Sequence, residues 1–280
     1  MCTEISDLIN LPFTQDDAQR LAEELKENPN DSEKWMTLGE GYLSLAQYGN
    51  AEIAFKQCLK ILKEHPAALG ELGSLYVLKG KTRAAIKNLK KSLKLDPSRN
   101  DFWANLGSAY LQGSKPEDAV VALEHSLAIK PGERDTMVLL AKAHTFLESW
   151  EDALEVLRQA DSLFPNDYEI LRGKARSLMK LGLIQELEET YLVMRKLEPE
   201  DHTILMYLGQ IYFNRGQTAK GLEYYRKAVE MEPESFMAWK MLLEALERLG
   251  MKDEAREARA KYKEIEEKLR KSGTRIIPKF

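Results

Sequence analysis

Leu69-Gly70-Glu71-Leu72-Gly73-Ser74-Leu75-Tyr76 is followed 34 residues later by Trp103-Ala104-Asn105-Leu106-Gly107-Ser108-Ala109-Tyr110. The same octet stands one period earlier at Trp35, Leu38, Gly39 and Tyr42, and again further on at Leu205, Leu208, Gly209 and Tyr212. An internal period of this length decides the architecture before any local propensity does, because each period is one supersecondary unit. Carrying the frame forward without a gap places Met137, Leu140, Ala141 and His144 in a fourth unit. Leu171, Lys174, Ala175 and Leu178 then fall in a fifth, and Trp239, Leu242, Leu243 and Leu246 in a seventh.

The second half of each unit keeps the same step. A small residue recurs at Ala51, Ala85, Ala119, Ala153, Gly221 and Ala255, with Leu187 as the exception. A large side chain follows four positions later at Phe55, Leu89, Leu123, Leu157, Tyr191 and Tyr225, and proline closes units at Pro97, Pro131, Pro165, Pro199 and Pro233. Apolar spacings of three, one and three draw a stripe along a helix, not the alternation of a strand. Gly80, Gly182, Gly216 and Gly250 stand where a left-handed residue ends the first helix of a pair, and so short a turn makes the two helices antiparallel.

This pattern resembles the tetratricopeptide repeat, and the match runs in register from about Ser32 to Leu269. The resemblance implies an all-α, right-handed solenoid of seven units, at residues 32–65, 66–99, 100–133, 134–167, 168–201, 202–235 and 236–269. Residues 1–31 form an N-terminal segment with a capping helix, and residues 270–280 a tail without helical period. Departures are few: Lys63 replaces the first closing proline, and Arg259 takes the large apolar place in the seventh unit, which continues into a charged helix from Lys252 to Lys271. A single hairpin cannot cover both of its apolar faces, so stability accumulates by stacking.

Composition limits the chemistry. With 41 Lys and Arg against 45 Asp and Glu, the net charge of −4 disfavours nucleic acid and anionic membrane as partners. Cys2 and Cys58 form neither a disulfide framework nor a zinc pair. The first ten residues lack a basic, apolar leader, and no apolar run would span a bilayer, so the expected location is the cytoplasm.

No catalytic constellation emerges, and neither a metal nor a cofactor is expected. Gly80-Lys81-Thr82 imitates the end of a phosphate-binding loop, but Leu75 stands where its first glycine belongs. Ser177 and Lys180 have a serine-hydrolase spacing inside one helix, without partner motifs. His65, His125, His144 and His202 lack zinc-protease spacing, and His144, at a tyrosine place, reads as a packed ring.

In the family the first helices line a concave groove, and contacts come from the second, fifth, sixth, ninth, twelfth and thirteenth positions of each unit. That implied map yields polar or acidic groups in the first three units, such as Glu40, Glu71, Asn105 and Gln112. It yields Lys142 in the fourth, then Arg172, Arg176 and Lys180, and next Met206, Tyr207, Gln210, Phe213 and Asn214, followed by Lys240. Arg172, Arg176 and Lys180 stand at i, i+4 intervals, where like charges repel by about 0.2–0.5 kcal/mol per pair. Lys174 replaces a leucine, and its stem is expected to pack while the ammonium reaches water. The expected function is a non-catalytic adaptor that holds an acidic and apolar peptide in the groove. Self-assembly through Ile5 to Phe13 or through the tail is the alternative, and RNA binding is disfavoured because aromatics do not interleave with the cations. The family's carboxylate clamp and asparagine ladder do not transfer: Gly70, Ser74 and Glu71 occupy clamp positions, and the sixth positions read Thr37, Glu71, Asn105, Leu139, Gly173, Tyr207 and Met241.

Overall fold

A computed structural model describes residues 13–272. The segments from Ile5 and from the tail that self-assembly would use lie wholly or almost wholly outside them. Among the described residues every regular element is an α-helix, fifteen in all. Helix α1 (Gln15–Glu27) precedes the pairs α2 (Ser32–Ser44) and α3 (Tyr48–Ile61), α4 (Pro66–Leu78) and α5 (Thr82–Leu95), and α6 (Asn100–Gln112) and α7 (Pro116–Ile129). Then come α8 (Arg134–Phe146) and α9 (Trp150–Leu163), α10 (Tyr168–Leu181) and α11 (Ile184–Leu197), and α12 (His202–Asn214) and α13 (Thr218–Met231). The last pair is α14 (Phe236–Arg248) and the longer α15 (Lys252–Lys271). The helices form two compact units that divide within α9, after Val156. Each is a stack of paired helices, the repeated element of an α-solenoid.

Within a pair the helices meet at backbone distance. A Cβ added at Gly73 would lie 2.6 Å from the Leu89 side chain, at Gly107 2.5 Å from Leu123, and at Gly209 2.8 Å from Tyr225. The recurring glycine and the recurring large residue therefore occupy one contact, and each excludes a larger partner on the other side. Unit 1 wraps this contact into a core centred on Phe55, Leu75, Leu89, Phe102 and Leu123. In the second unit Ile170, Leu178, Ile204, Leu208 and Leu246 are the largest fully buried side chains. The seventh hairpin has Leu243 at the glycine place, and Arg259 opposite is exposed and pairs with Glu247.

The first, third and seventh hairpins are tied to the chain that precedes them by a bond the spacing alone does not announce. The indole N–H of Trp35 donates to the Pro29 carbonyl at 2.9 Å, that of Trp103 to Pro97 at 2.9 Å, and that of Trp239 to Pro233 at 2.8 Å. Asp31, His65, Asp167, Asp201 and Ser235, each just before a first helix, accept from its free amides. Helix α1 starts with a capping box at Thr14 and Asp17 and covers Leu38 and Ala54 with Ala18 and Leu25.

The turns inside the hairpins are left-handed in every repeat, not only where glycine stands. Gly80, Gly182, Gly216 and Gly250 have φ of 65° to 79°, while Ala46, Ser114 and Glu148 hold the same turn at 55°, 54° and 57°. An L side chain there crowds its own carbonyl. Ser114→Gly is expected to raise the unfolding free energy by about 0.5–1 kcal/mol, the relief of that crowding less the entropy glycine adds to the unfolded chain, as read by urea denaturation.

A polar joint adds to the apolar packing between the first two hairpins. The Glu52 carboxylate accepts from Lys79 at 2.6 Å and from the Tyr76 hydroxyl at 3.2 Å, and Lys56 stands 2.7 Å away. Glu188, Tyr212 and Arg215 repeat the trio four periods later. Hydrogen bonds from Lys56 and then Lys79 hold the Glu52 carboxyl at about 2 against an ordinary 4.5. A carboxyl depressed on folding stabilises fully above its unfolded value and loses that contribution as pH falls through its folded one. The stability difference between the wild type and Glu52→Gln should therefore be full at neutral pH and vanish as pH falls from about 4.5 to about 2, in urea unfolding at stepped pH.

Candidate functional site

Leu187 breaks the small-residue rule, and the site follows from that exception. In the sixth hairpin the equivalent Gly221 lies so close to α12 that a Cβ would be 2.9 Å from the Gly209 carbonyl. Leucine cannot enter such a space, and α10 and α11 accordingly pack less closely than α4 with α5, α6 with α7 or α12 with α13. A recess of about 420 Å3 opens beside Leu187, between α10, α11 and α12. Met179 and Ile184 are partly exposed at its edge, and Tyr191 and Tyr207 stack face to face with centroids 5.2 Å apart. Burial holds the Tyr191 phenol above its ordinary range, so it is a neutral hydroxyl at physiological pH.

Of the side chains the groove map selected, Tyr207, Gln210 and Asn214 line this recess together. Arg172, Arg176 and Lys180 are exposed along α10, the helix that also supplies Met179. Met206 is elsewhere: at 6% exposure it belongs to the core. Phe213 tilts against Tyr225 at 6.3 Å and carries the Arg248 guanidinium 5.6 Å from its ring. Lys240 stands 3.9 Å from Glu244 on α14, and Lys142 is exposed on α8 of the first unit. The map overlooked Met179, although it occupies a twelfth position, and it could not select Tyr191 or Leu187, which belong to a second helix.

Other sequence oddities resolve locally. The Lys174 ammonium pairs with Asp161 at 2.9 Å and stands 3.5 Å from Glu186, its side chain 14% exposed. Burying a lysine stem beside α11 brings both acids within reach, which the apolar position alone does not reveal. His144 packs with its Nδ1 3.9 Å from Asp152. Cys58 is buried, and desolvation pushes its thiol up to about 11, so it is no nucleophile at neutral pH. Among the described residues no group of three or more His, Cys, Asp or Glu could hold a metal, and no helix is long and apolar enough to cross a membrane.

Stacked helix pairs with an aromatic recess between hairpins define an interaction scaffold of the helical-repeat class. Family models described as tetratricopeptide or TPR repeat match residues 35–64, 73–113, 101–133, 134–177, 184–230 and 208–266. The chain belongs to the tetratricopeptide-repeat family. No curated protein sequence matches it significantly. Among solved structures it is similar to the C-terminal part of a TPR repeat-containing protein from Cytophaga hutchinsonii, with 15% identity, 81% of this chain and 93% of that chain covered, and a TM-score of 0.68. It is also similar to PilF of Pseudomonas aeruginosa, at 16% identity, 76% and 97% coverage and a TM-score of 0.60. MamA from Desulfovibrio magneticus gives 22% identity, 61% and 96% coverage and a TM-score of 0.55. Identities this low speak for the fold alone.

Leu187→Ala tests the origin of the recess. Because α11 can then close on α10, the cost should sit near the bottom of the range for buried leucine, about 2 kcal/mol in urea unfolding, and a crystal structure should show the recess shrunken.

Proposed function

We propose that the chain is a non-catalytic adaptor that binds a peptide segment of acidic and apolar side chains along α10 and α12. The observation that carries this reading is the recess at Met179, Tyr191 and Tyr207, whose Met179 stands on the same helix as the Arg172, Arg176 and Lys180 stripe. An apolar side chain entering the recess buries surface against two stacked rings and a thioether, contacts that adapt to shape. Carboxylates on either side of that anchor meet guanidinium groups, which take them through two parallel bonds. Gln210 and Asn214, exposed at the rim, offer both donor and acceptor to a peptide backbone. The family fold supports protein binding in general; the charge and the aromatic recess supply the choice of ligand.

The test uses defined probes: fluorescent ten-residue peptides that combine Glu or Asp with Leu, Met or Phe, and counterparts with Lys or Arg in place of the acids. The acidic set should bind in fluorescence anisotropy, weaken with added salt, and weaken by about tenfold or more with Arg172→Glu and Arg176→Glu combined. Equal binding by the wild type and the double variant, or preference for the basic set, would refute the reading.

A further inference from the structure

A second cavity, of about 560 Å3, opens between α13, α14 and α15. Its floor is Trp239, Leu242 and Leu246, spaced three and four along α14 and so on one stripe of that helix. Lys240, Met241 and Glu244, which belong to the groove positions, turn to the other side of α14. The cavity and the α10 to α12 recess share no residue.

Trp239 lacks the cover that Trp103 has at the same place of the frame. Trp103 is covered by His125, 22 positions later, with ring centroids 4.6 Å apart and planes 25° from parallel. The residue 22 positions after Trp239 is Lys261, and its ammonium is drawn 2.9 Å from Glu264. Ala258, one turn earlier, is too small to fill the gap. No ring or cation covers Trp239 among the described residues, while its indole N–H is fixed on the Pro233 carbonyl.

The rim is acidic after its internal pairs are made. Arg226 pairs with Glu254 at 2.6 Å, and Lys261 with Glu264. Glu230 and Glu257 border the cavity without an ion pair among the described residues. An indole face flanked by two such carboxylates complements a flat cation, which can stack on the ring and still give two N–H bonds to an acid. Leu242 and Leu246 suit the methylenes of such a side chain. We propose that this cavity receives an arginine side chain of a partner protein, its guanidinium on Trp239 and its N–H groups on Glu230 or Glu257. The guanidinium takes the place that the His125 ring takes over Trp103.

The experiment follows the four indole N–H signals of the 15N-labelled full chain, with that of Trp239 assigned through Trp239→Phe. N-acetylarginine amide is the probe. The Trp239 signal should move saturably while those of Trp35, Trp103 and Trp150 stay in place, and N-acetyllysine amide should act more weakly. Glu230→Gln with Glu257→Gln should weaken binding by about tenfold, and both exchanges lie at the cavity rim, outside the packed core. Lys261→His, which restores the covering ring, should abolish the shift. A motionless Trp239 signal, a common drift of all four indoles, equal response to the lysine probe, or undiminished binding by the double Gln or Lys261→His variants would each overturn the assignment.

Discussion

The contact on which the structure depends is the approach of two helices to backbone distance inside the hairpins that carry Gly39, Gly73, Gly107 and Gly209. At Gly107 even a methyl group would overlap the Leu123 side chain. A glycine on one helix and a bulky residue on the other make a single interlocking contact, and interiors packed to crystal density tolerate neither a gap nor an excess there. Since a hairpin locked in this way still exposes apolar sides, neighbours must cover them, and cores such as that around Phe55 and Leu89 grow across hairpin boundaries. Helix order, turn handedness and the tryptophan to proline bonds all accommodate that one contact.

The fold was readable because packing at this distance leaves a strict residue code at fixed intervals. Glycine at Gly39, Gly73 and Gly107 and large residues at Phe55, Leu89 and Leu123 identify a hairpin more firmly than helix propensity could. The candidate site was readable only in part. Arg172, Arg176, Tyr207 and Gln210 follow from register, because register says which face of a first helix a residue occupies. Burial of Met206 and capture of Phe213 by Tyr225 depend on how neighbouring helices sit, which the period does not encode. Leu187 was visible as an irregularity, yet its effect is steric and needs the opposing helix to be seen. Lys174 shows the same limit: the sequence marks a charge at an apolar place, while the acids that receive it come from two other helices.

Departures from the repeat mark where the molecule differs from a bare scaffold. Leu187 for a small residue opens a recess. Glu52 and Glu188 for apolar residues add a polar contact to two packed joints, each closed by a tyrosine hydroxyl and a basic side chain. In each case one substitution at a fixed position has a local result, since a hairpin contacts chiefly its immediate neighbours.

The three indole to proline-carbonyl bonds bear on how the gene can change length. Each spans six residues of chain between the exit of one hairpin and the first turn of the next. An insertion or deletion in that short link would pull the ring off its acceptor and shift the helix it anchors, whereas a whole added period leaves every link intact. Growth and loss are thereby steered toward multiples of 34, and the frame persists ungapped from Ser32 onward.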